Sequence, residues 1–294
     1  MSVAPESKHI SVLLEELTSS IEIFNNKKNT IVDCTLGMWG HASEIISKMN
    51  AWDTFIGFDA DERNLVQAKQ RLEDIWQGIE KIFILSNFTH LTEKLSEKWI
   101  SSVTWIYYDL WLSSLHLDEA DRGFSFKNDG PLDMRFDTSE KITAGFILNN
   151  YRREQLIEIF QKYGEEPMTH KIVKAICDER RNQKFETTHQ LNDLILAHSG
   201  IPKSNTRIFQ ALRIEVNKEL ETLENSLHSA INLLDSGWNI FVISFHSLED
   251  RIVKHIFKQE TRDCICTDII CTCWHKKTLK VITKKPILPS SSEV

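Results

Sequence analysis

The chain has 294 residues, 41% of them hydrophobic and 26% charged, with a formal net charge of -7. That apolar fraction suffices for a folded core and excludes a disordered polyelectrolyte, and no run of about 18 uncharged apolar residues offers a helical membrane span. The acidic balance argues against a protein that coats nucleic acid indiscriminately.

Met1 to Ile10 carries neither the basic start nor the apolar stretch of a secretory signal, so a soluble cytoplasmic protein is expected. The charge is uneven. From Arg251 to Val294 there are nine Lys/Arg against four Asp/Glu, which leaves -12 on residues 1–250. The basic end is a candidate for phosphate contacts, with a solvated tail as the alternative.

Short apolar runs at 31–34, 54–59, 81–85 and 103–110 read as strands, and 40–49 and 62–75 between them as helices. Strands separated by helices imply βαβ units and a parallel sheet. From about residue 113 to 204 the alternation stops. Segments 151–163, 168–181 and 188–198 carry apolar residues at helical spacing, with Thr187 or Thr188 as a cap. Residues 206–234 read as one long helix or two abutting ones, 239–244 as a further strand and 248–257 as a helix. The expected architecture is α/β: a doubly wound sheet in residues 1–112 and 205–294, interrupted by an all-helical insert at 113–204.

Residues 32–41 (VDCTLGMWGH) lie where the first strand turns into the first helix, at the ligand end of an open sheet. The next strand ends in Asp59, nineteen residues after Gly40, where a carboxylate can accept both ribose hydroxyls of an adenosine cofactor. The G-x-G-x-x-G spacing of nicotinamide enzymes is absent, since the turn holds only Gly37 and Gly40. Phe88, after the third strand, is placed to flank an adenine or to fill core. Asp109 ends the fourth strand, and an unpaired buried carboxylate there is poorly explained as core.

Four blocks carry a resemblance: residues 9–16 (HISVLLEE), 130–137 (GPLDMRFD), 209–220 (FQALRIEVNKEL) and 243–254 (ISFHSLEDRIVK). With the first-strand turn they resemble the MraW family, the ribosomal RNA small subunit methyltransferases H, from about His9 to the end. The resemblance implies a class I S-adenosylmethionine (SAM) methyltransferase of Rossmann-like fold with a helical insert for RNA recognition. It implies N4-methylation of a cytidine in the decoding centre of 16S rRNA, within the small ribosomal subunit, and no membrane partner. Carried over by motif, the SAM-contacting positions are Trp39, Gly40, His41, Asp59, Phe88, Asp109 and His116. Two depart from the family: Gln is usual at His116 and Gly at Trp39. The closing KPILPS at 285–290 resembles a segment that the family follows with an Arg-rich tail. The oligomeric state stays open, a homodimer among the options.

The chain holds only 10 glycines, where about 7% is ordinary. Trp39, Trp99, Trp105, Trp111, Trp238 and Trp274 all fall where the family, or turn chemistry, asks for glycine. These six codons are therefore expected to be UGA, translated here as Trp and read as Gly in the source organism.

A cytosine N4 lone pair is delocalised into the ring, so alignment with the methyl donor and a nearby acceptor for the departing proton are what an enzyme must supply. Asp109 is the first candidate acceptor, followed by Asp133 and His246. Arg135, Arg207 and Arg213 are candidates for gripping RNA phosphates, or for a solvated helix face.

Cys34 and Cys177 stand alone, while Cys264, Cys266, Cys271 and Cys273 fall within ten residues. That distribution fits a reduced compartment better than a disulfide scaffold. The paired C-x-C motifs have ligands suited to Zn²⁺, although C-x-C is tighter than the usual C-x2-C. A structural zinc ion and a metal-free loop are both open, and family members with a similar pair of pairs favour a structural loop. Two other classes remain: a non-catalytic RNA-binding or ribosome-assembly factor that keeps the fold, and a nicotinamide oxidoreductase, which the glycine spacing disfavours.

Overall fold

The structure is a computed structural model that describes residues 11–37, 39–75, 78–111, 119–266, 271–290 and 293. Strands buried on both faces read as near-continuous apolar runs, and the runs of the sequence become β1 (Thr30–Asp33), β2 (Thr54–Asp59), β3 (Glu80–Leu85), β4 (Val103–Asp109) and β5 (Leu234–Ile243). All pair in parallel, in the order β3-β2-β1-β4-β5. The order reverses between β1 and β4, so their carboxyl ends flank the crevice where such sheets take ligands. This is the doubly wound, Rossmann-like α/β sheet that the sequence leads one to expect.

Helix α1 (Leu14–Ser20) precedes the sheet. Helices α2 (Gly40–Lys48), α3 (Glu62–Glu73) and α4 (Leu91–Ser96) connect the first four strands. Between β4 and β5 come α5 (Ala144–Asn150), α6 (Arg153–Lys162), α7 (Thr169–Glu179), α8 (Thr188–Ser199), α9 (Ser204–Asn217) and α10 (Glu219–Leu233), and α11 (Ser247–Glu260) follows β5. Among the described residues, no helix is long and apolar enough to cross a membrane.

The chain divides into two compact units, residues 1–111 with 223–294, and residues 112–222. In the first, the period-two alternation of strands sets two core layers. Val32, Ile56, Ile106 and Tyr108 pack with Leu223 and Leu227 on one face, and Ile31, Phe55, Trp105 and Tyr107 with Ile45 and Ile46 of α2 on the other. The second unit has its own core, built on Leu148, Phe160, Ile172, Leu191 and the α9 residues Ile208 and Leu212. Because α9 buries its apolar stripe there, this unit runs to Thr222, beyond the boundary read from the sequence at residue 204.

Of the two options for residues 206–234, the structure takes two abutting helices. Lys218 adopts a left-handed backbone (φ 50°) between α9 and α10. Beside it the Asn217 side chain accepts from Phe136 N–H (2.8 Å) and donates to the Met134 carbonyl (2.8 Å). The break thus ties the end of α9 to the GPLDMRFD loop. Thr187 caps α8, its Oγ1 accepting from Gln190 N–H while the Gln190 side chain accepts from Thr187 N–H.

Candidate active site

Three carboxylates end three neighbouring strands, and each meets a different environment. Asp59 closes β2. Its Oδ2 accepts from Gly37 N–H (2.9 Å) and its Oδ1 from Asp61 N–H (2.8 Å), which fixes the carboxylate at the mouth of the β1–α2 turn. That turn is built for close approach. Gly37 has φ 45°, and a Cβ on Gly40 would lie 1.9 Å from Ser11 Oγ, so Ser11 lies directly on the turn. Trp39, between them, is the N-cap of α2 in a left-handed conformation (φ 55°), which a side chain of its size rarely adopts.

Asp109 closes β4. Its N–H donates to Thr35 Oγ1 (2.6 Å), and its Oδ2 lies 3.3 Å from His41 Nδ1. The other ring nitrogen of His41 lies 2.9 Å from the Val12 carbonyl. Burial works against a charge on His41, but the Asp109 carboxylate and the Val12 carbonyl outweigh it and raise the pKa of the ring. With an acceptor facing each nitrogen, the imidazolium is the form this pocket favours. Asp109 Oδ1 is buried and finds no hydrogen-bond donor among the described residues. A buried acceptor without a donor is costly by itself and becomes useful when a ligand brings one.

Asp33 closes β1 and is the group that the sequence reading missed. Tyr107 O–H donates to its Oδ2 (2.6 Å) and Thr35 N–H to its Oδ1 (2.9 Å). Burial nonetheless dominates and pushes its pKa up to about 7, with the neighbouring Asp109 adding to the rise. The signal was present, since an acid ending an apolar run is the same feature that marked Asp59 and Asp109. Phe88 follows β3 in a short 3-10 turn, with its ring edge-on to Tyr108 at 5.5 Å. His116 lies outside the described residues. Trp39, Gly40, His41, Asp59, Phe88 and Asp109 therefore all lie at or just after the carboxyl ends of strands in one unit.

The remaining candidates are differently engaged. Asp133 is held by Arg135 through Nε (2.7 Å) and Nη2 (2.6 Å). Arg135 also donates to the carbonyls of Thr138 and Glu140, closing a knot around the GPLDMRFD loop. Arg213 makes a two-point pair with Glu219 (2.8 and 2.9 Å) across the α9–α10 break. The Arg207 side chain is 39% exposed, with Nη1 3.7 Å from the buried Glu166 carboxylate. His246 is the N-cap of α11 in a reciprocal arrangement with Glu249, whose carboxylate accepts from Phe245 N–H (2.8 Å). Of the three candidate proton acceptors, Asp133 is bound at both oxygens, while Asp109 Oδ1 and His246 Nε2 are buried with no hydrogen-bond partner among the described residues, His246 Nε2 lying 3.0 Å from the Glu249 carboxylate.

Among the six tryptophans, Trp99 (φ 61°) and Trp274 (φ 53°) share the left-handed backbone of Trp39. Trp105 and Trp238 lie within β4 and β5, and Trp105 is buried and stacked on Phe241 with centroids 5.5 Å apart.

The chain is similar to known proteins over nearly its whole length. The model of the MraW methylase family matches residues 6–294. A protein of Clostridium botulinum (strain 657 / Type Ba4) is 42% identical, over 98% of this chain and 94% of its own length. One of Clostridioides difficile (strain 630) is 40% identical and one of Caldicellulosiruptor saccharolyticus 41%, each with the same coverage. All three bear the name ribosomal RNA small subunit methyltransferase H.

Proposed function

The chain belongs to the MraW methylase family, and from that premise we propose that it transfers a methyl group from SAM to N4 of a cytidine in the decoding centre of 16S rRNA. The observation that carries the reading is the unpaired Oδ1 of Asp109 beside the Asp59-clamped turn. The residues present fit an adenosine cofactor bearing an amino acid: Asp59 offers a carboxylate to the ribose hydroxyls, the turn from Gly37 to Gly40 offers close backbone approach, and Asp109 offers a buried acceptor to an ammonium or amine. SAM, when bound, supplies an electrophilic methyl on a cationic sulfur.

In this reading the chain's own part is positioning. His41 anchors Asp109 through Oδ2, so that Oδ1 keeps one direction. An acceptor so placed orients an amine and takes up the proton that N4 releases once it has gained the methyl, which leaves a neutral methylated base. In a paired cytosine one N4–H is taken by the base pair and the other lies in the deep, narrow major groove of A-form RNA, so the substrate in this reading is an unpaired or splayed nucleotide. Arg207 is the arginine best disposed to meet a phosphate, because Arg135 and Arg213 are satisfied internally.

The test is nucleoside mass spectrometry on unmodified small ribosomal subunits incubated with SAM and the protein. A gain of N4-methylated cytidine that disappears with Asp109→Ala is expected. Stable association with the subunit but no methyl gain, and no SAM binding by calorimetry, would replace the enzyme with an assembly factor that keeps the fold.

A further inference from the structure

Among the described residues outside the sheet-edge site, a cluster of four cysteines is left without a role. The four Sγ atoms of Cys264, Cys266, Cys271 and Cys273 all lie within 4.8 Å of one another. Cys271–Cys273 and Cys264–Cys273 are each 3.8 Å apart. In an extended chain, residues i and i+2 share a face, so each C-x-C delivers two thiols to the same side. A tetrahedral Zn²⁺ with Zn–S bonds of about 2.3 Å has S···S edges of about 3.8 Å. Disulfides would need the sulfurs near 2 Å.

The backbone around the cluster is arranged for thiolates. Cys266 N–H points at Cys264 Sγ (3.4 Å), Thr272 N–H at Cys266 Sγ (3.3 Å) and His275 N–H at Cys273 Sγ (3.5 Å). The last of these requires the chain to turn sharply after Cys273, and Trp274 does so in the left-handed region (φ 53°) with its side chain 92% exposed. N–H groups directed at sulfur stabilise negative charge there, the task of an outer layer around a metal.

The geometry points to a single Zn²⁺ held by Cys264, Cys266, Cys271 and Cys273, which staples the basic segment that follows to the end of α11. Binding displaces the four thiol protons to solvent and changes no oxidation state. Lys276 and Lys277 follow the cluster in the chain, and Lys277 Nζ lies 3.4 Å from the Asp263 carboxylate. The staple has a second anchor. Thr278 and Leu279 both donate backbone N–H to the Glu260 carbonyl (2.9 and 3.0 Å), Thr278 Oγ1 donates to the Glu260 carboxylate, and Leu279 packs on the sheet core. The inference is independent of the methyl-transfer reading, because no ligand comes from the sheet-edge site.

The experiment is metal analysis of the full chain, purified with reductant and supplemented with Zn²⁺, by plasma mass spectrometry. One zinc per chain is expected. Replacement by Co²⁺ should give the intense visible bands and thiolate charge transfer of a tetrahedral four-sulfur site. The Cys264→Ser/Cys273→Ser variant should lose the metal and become sensitive to trypsin at Lys276 and Lys277 while its helical circular dichroism persists. Should that variant fail to fold, Cys271→Ser alone, at an exposed position, should still weaken zinc retention in competition with a chromogenic chelator. Cys34 and Cys177 serve as internal controls. Zinc-supplemented protein that retains no metal, with the four thiols either freely reactive or paired in disulfides that make the chain four hydrogens lighter, would overturn the inference.

Discussion

The sheet edge and the helical unit treat their charged side chains in opposite ways. In residues 112–222 the arginines singled out for RNA are largely absorbed: Arg135 by Asp133 and two carbonyls, Arg213 by Glu219. At the ends of β1 and β4 two carboxylates are less settled, although Asp33 is bonded through both oxygens. Asp33 is buried against its preference for water, and Asp109 keeps one oxygen open. A unit that closes its charges on itself gains rigidity, whereas one that leaves them unmatched keeps binding capacity at a cost in stability. Substitutions at the sheet edge should therefore change ligand affinity and pH response, and those in the helical unit should change stability.

The largest expected effect concerns Asp33. Its ordinary carboxyl value of 3.8 is raised to about 7 in the fold, so the folded state keeps a proton that the unfolded chain has already released. Stability from this group is therefore complete below about pH 4 and falls as pH rises through 7, by up to about 4 kcal/mol. Asp33→Asn removes the titration while keeping an acceptor for Tyr107 or Thr35. Urea midpoints measured from pH 5 to 8 should decline for the parent chain and decline much less for the variant. Parallel curves would mean that Asp33 ionises freely, and the sheet edge would lose half of the comparison.

Next comes Asp59→Ala. Two ribose hydroxyls bonded to a charged acceptor are worth about 3 kcal/mol together, so SAM affinity measured by calorimetry should drop about a hundredfold. An affinity within about threefold of the parent would place the ribose elsewhere.

The helical unit answers to a different measurement. Arg213→Ala and Glu219→Ala should each cost about 2 kcal/mol in urea unfolding, with the double variant well short of the sum, as for a partly buried two-point pair. The salt dependence of RNA binding should not change with Arg213→Ala, whereas Arg207→Ala should reduce its slope by about one. An Arg213→Ala protein of parental stability with a weaker salt slope would show that the pair opens to grip phosphate.

Much of this was legible in the residues, for identifiable reasons. Strands buried on both faces leave apolar runs such as Phe55-Ile56-Gly57-Phe58, and an acid that ends one stands out, as Asp59 and Asp109 did. What stayed hidden depends on pairs that no local period reports. Tyr107 reaches Asp33 across 74 positions, and Arg213 meets Glu219 only because the helix breaks at Lys218, where no glycine or proline marks the break. The start of β5 is another case: Leu234 to Gly237 extend the strand through a register shift between Val103 and Trp105, and residues 235–237 carry no strand pattern. Asp133 looked chemically free in its motif, and its neighbour two positions on neutralises it.

The smallest effect tests backbone rather than charge. Trp99 has φ 61° and is 95% exposed, so its side chain contributes almost no packing while its Cβ strains the turn. A left-handed conformation costs a residue other than glycine roughly 1–2 kcal/mol, and the greater freedom of glycine in the unfolded chain returns about half of that. Trp99→Gly should therefore stabilise the protein by about 0.5–1 kcal/mol, an unusual sign for deleting the largest side chain. Trp39→Gly relieves the same strain but also gives up the ring's contact with the guanidinium of Arg71, 6.0 Å from its centroid. Its net stability change should be near zero, while SAM affinity rises because the turn can close on the ligand. A stability loss at Trp99 would mean that tryptophan suits these turns, and the expectation that the source organism reads the codons as glycine would fail with it.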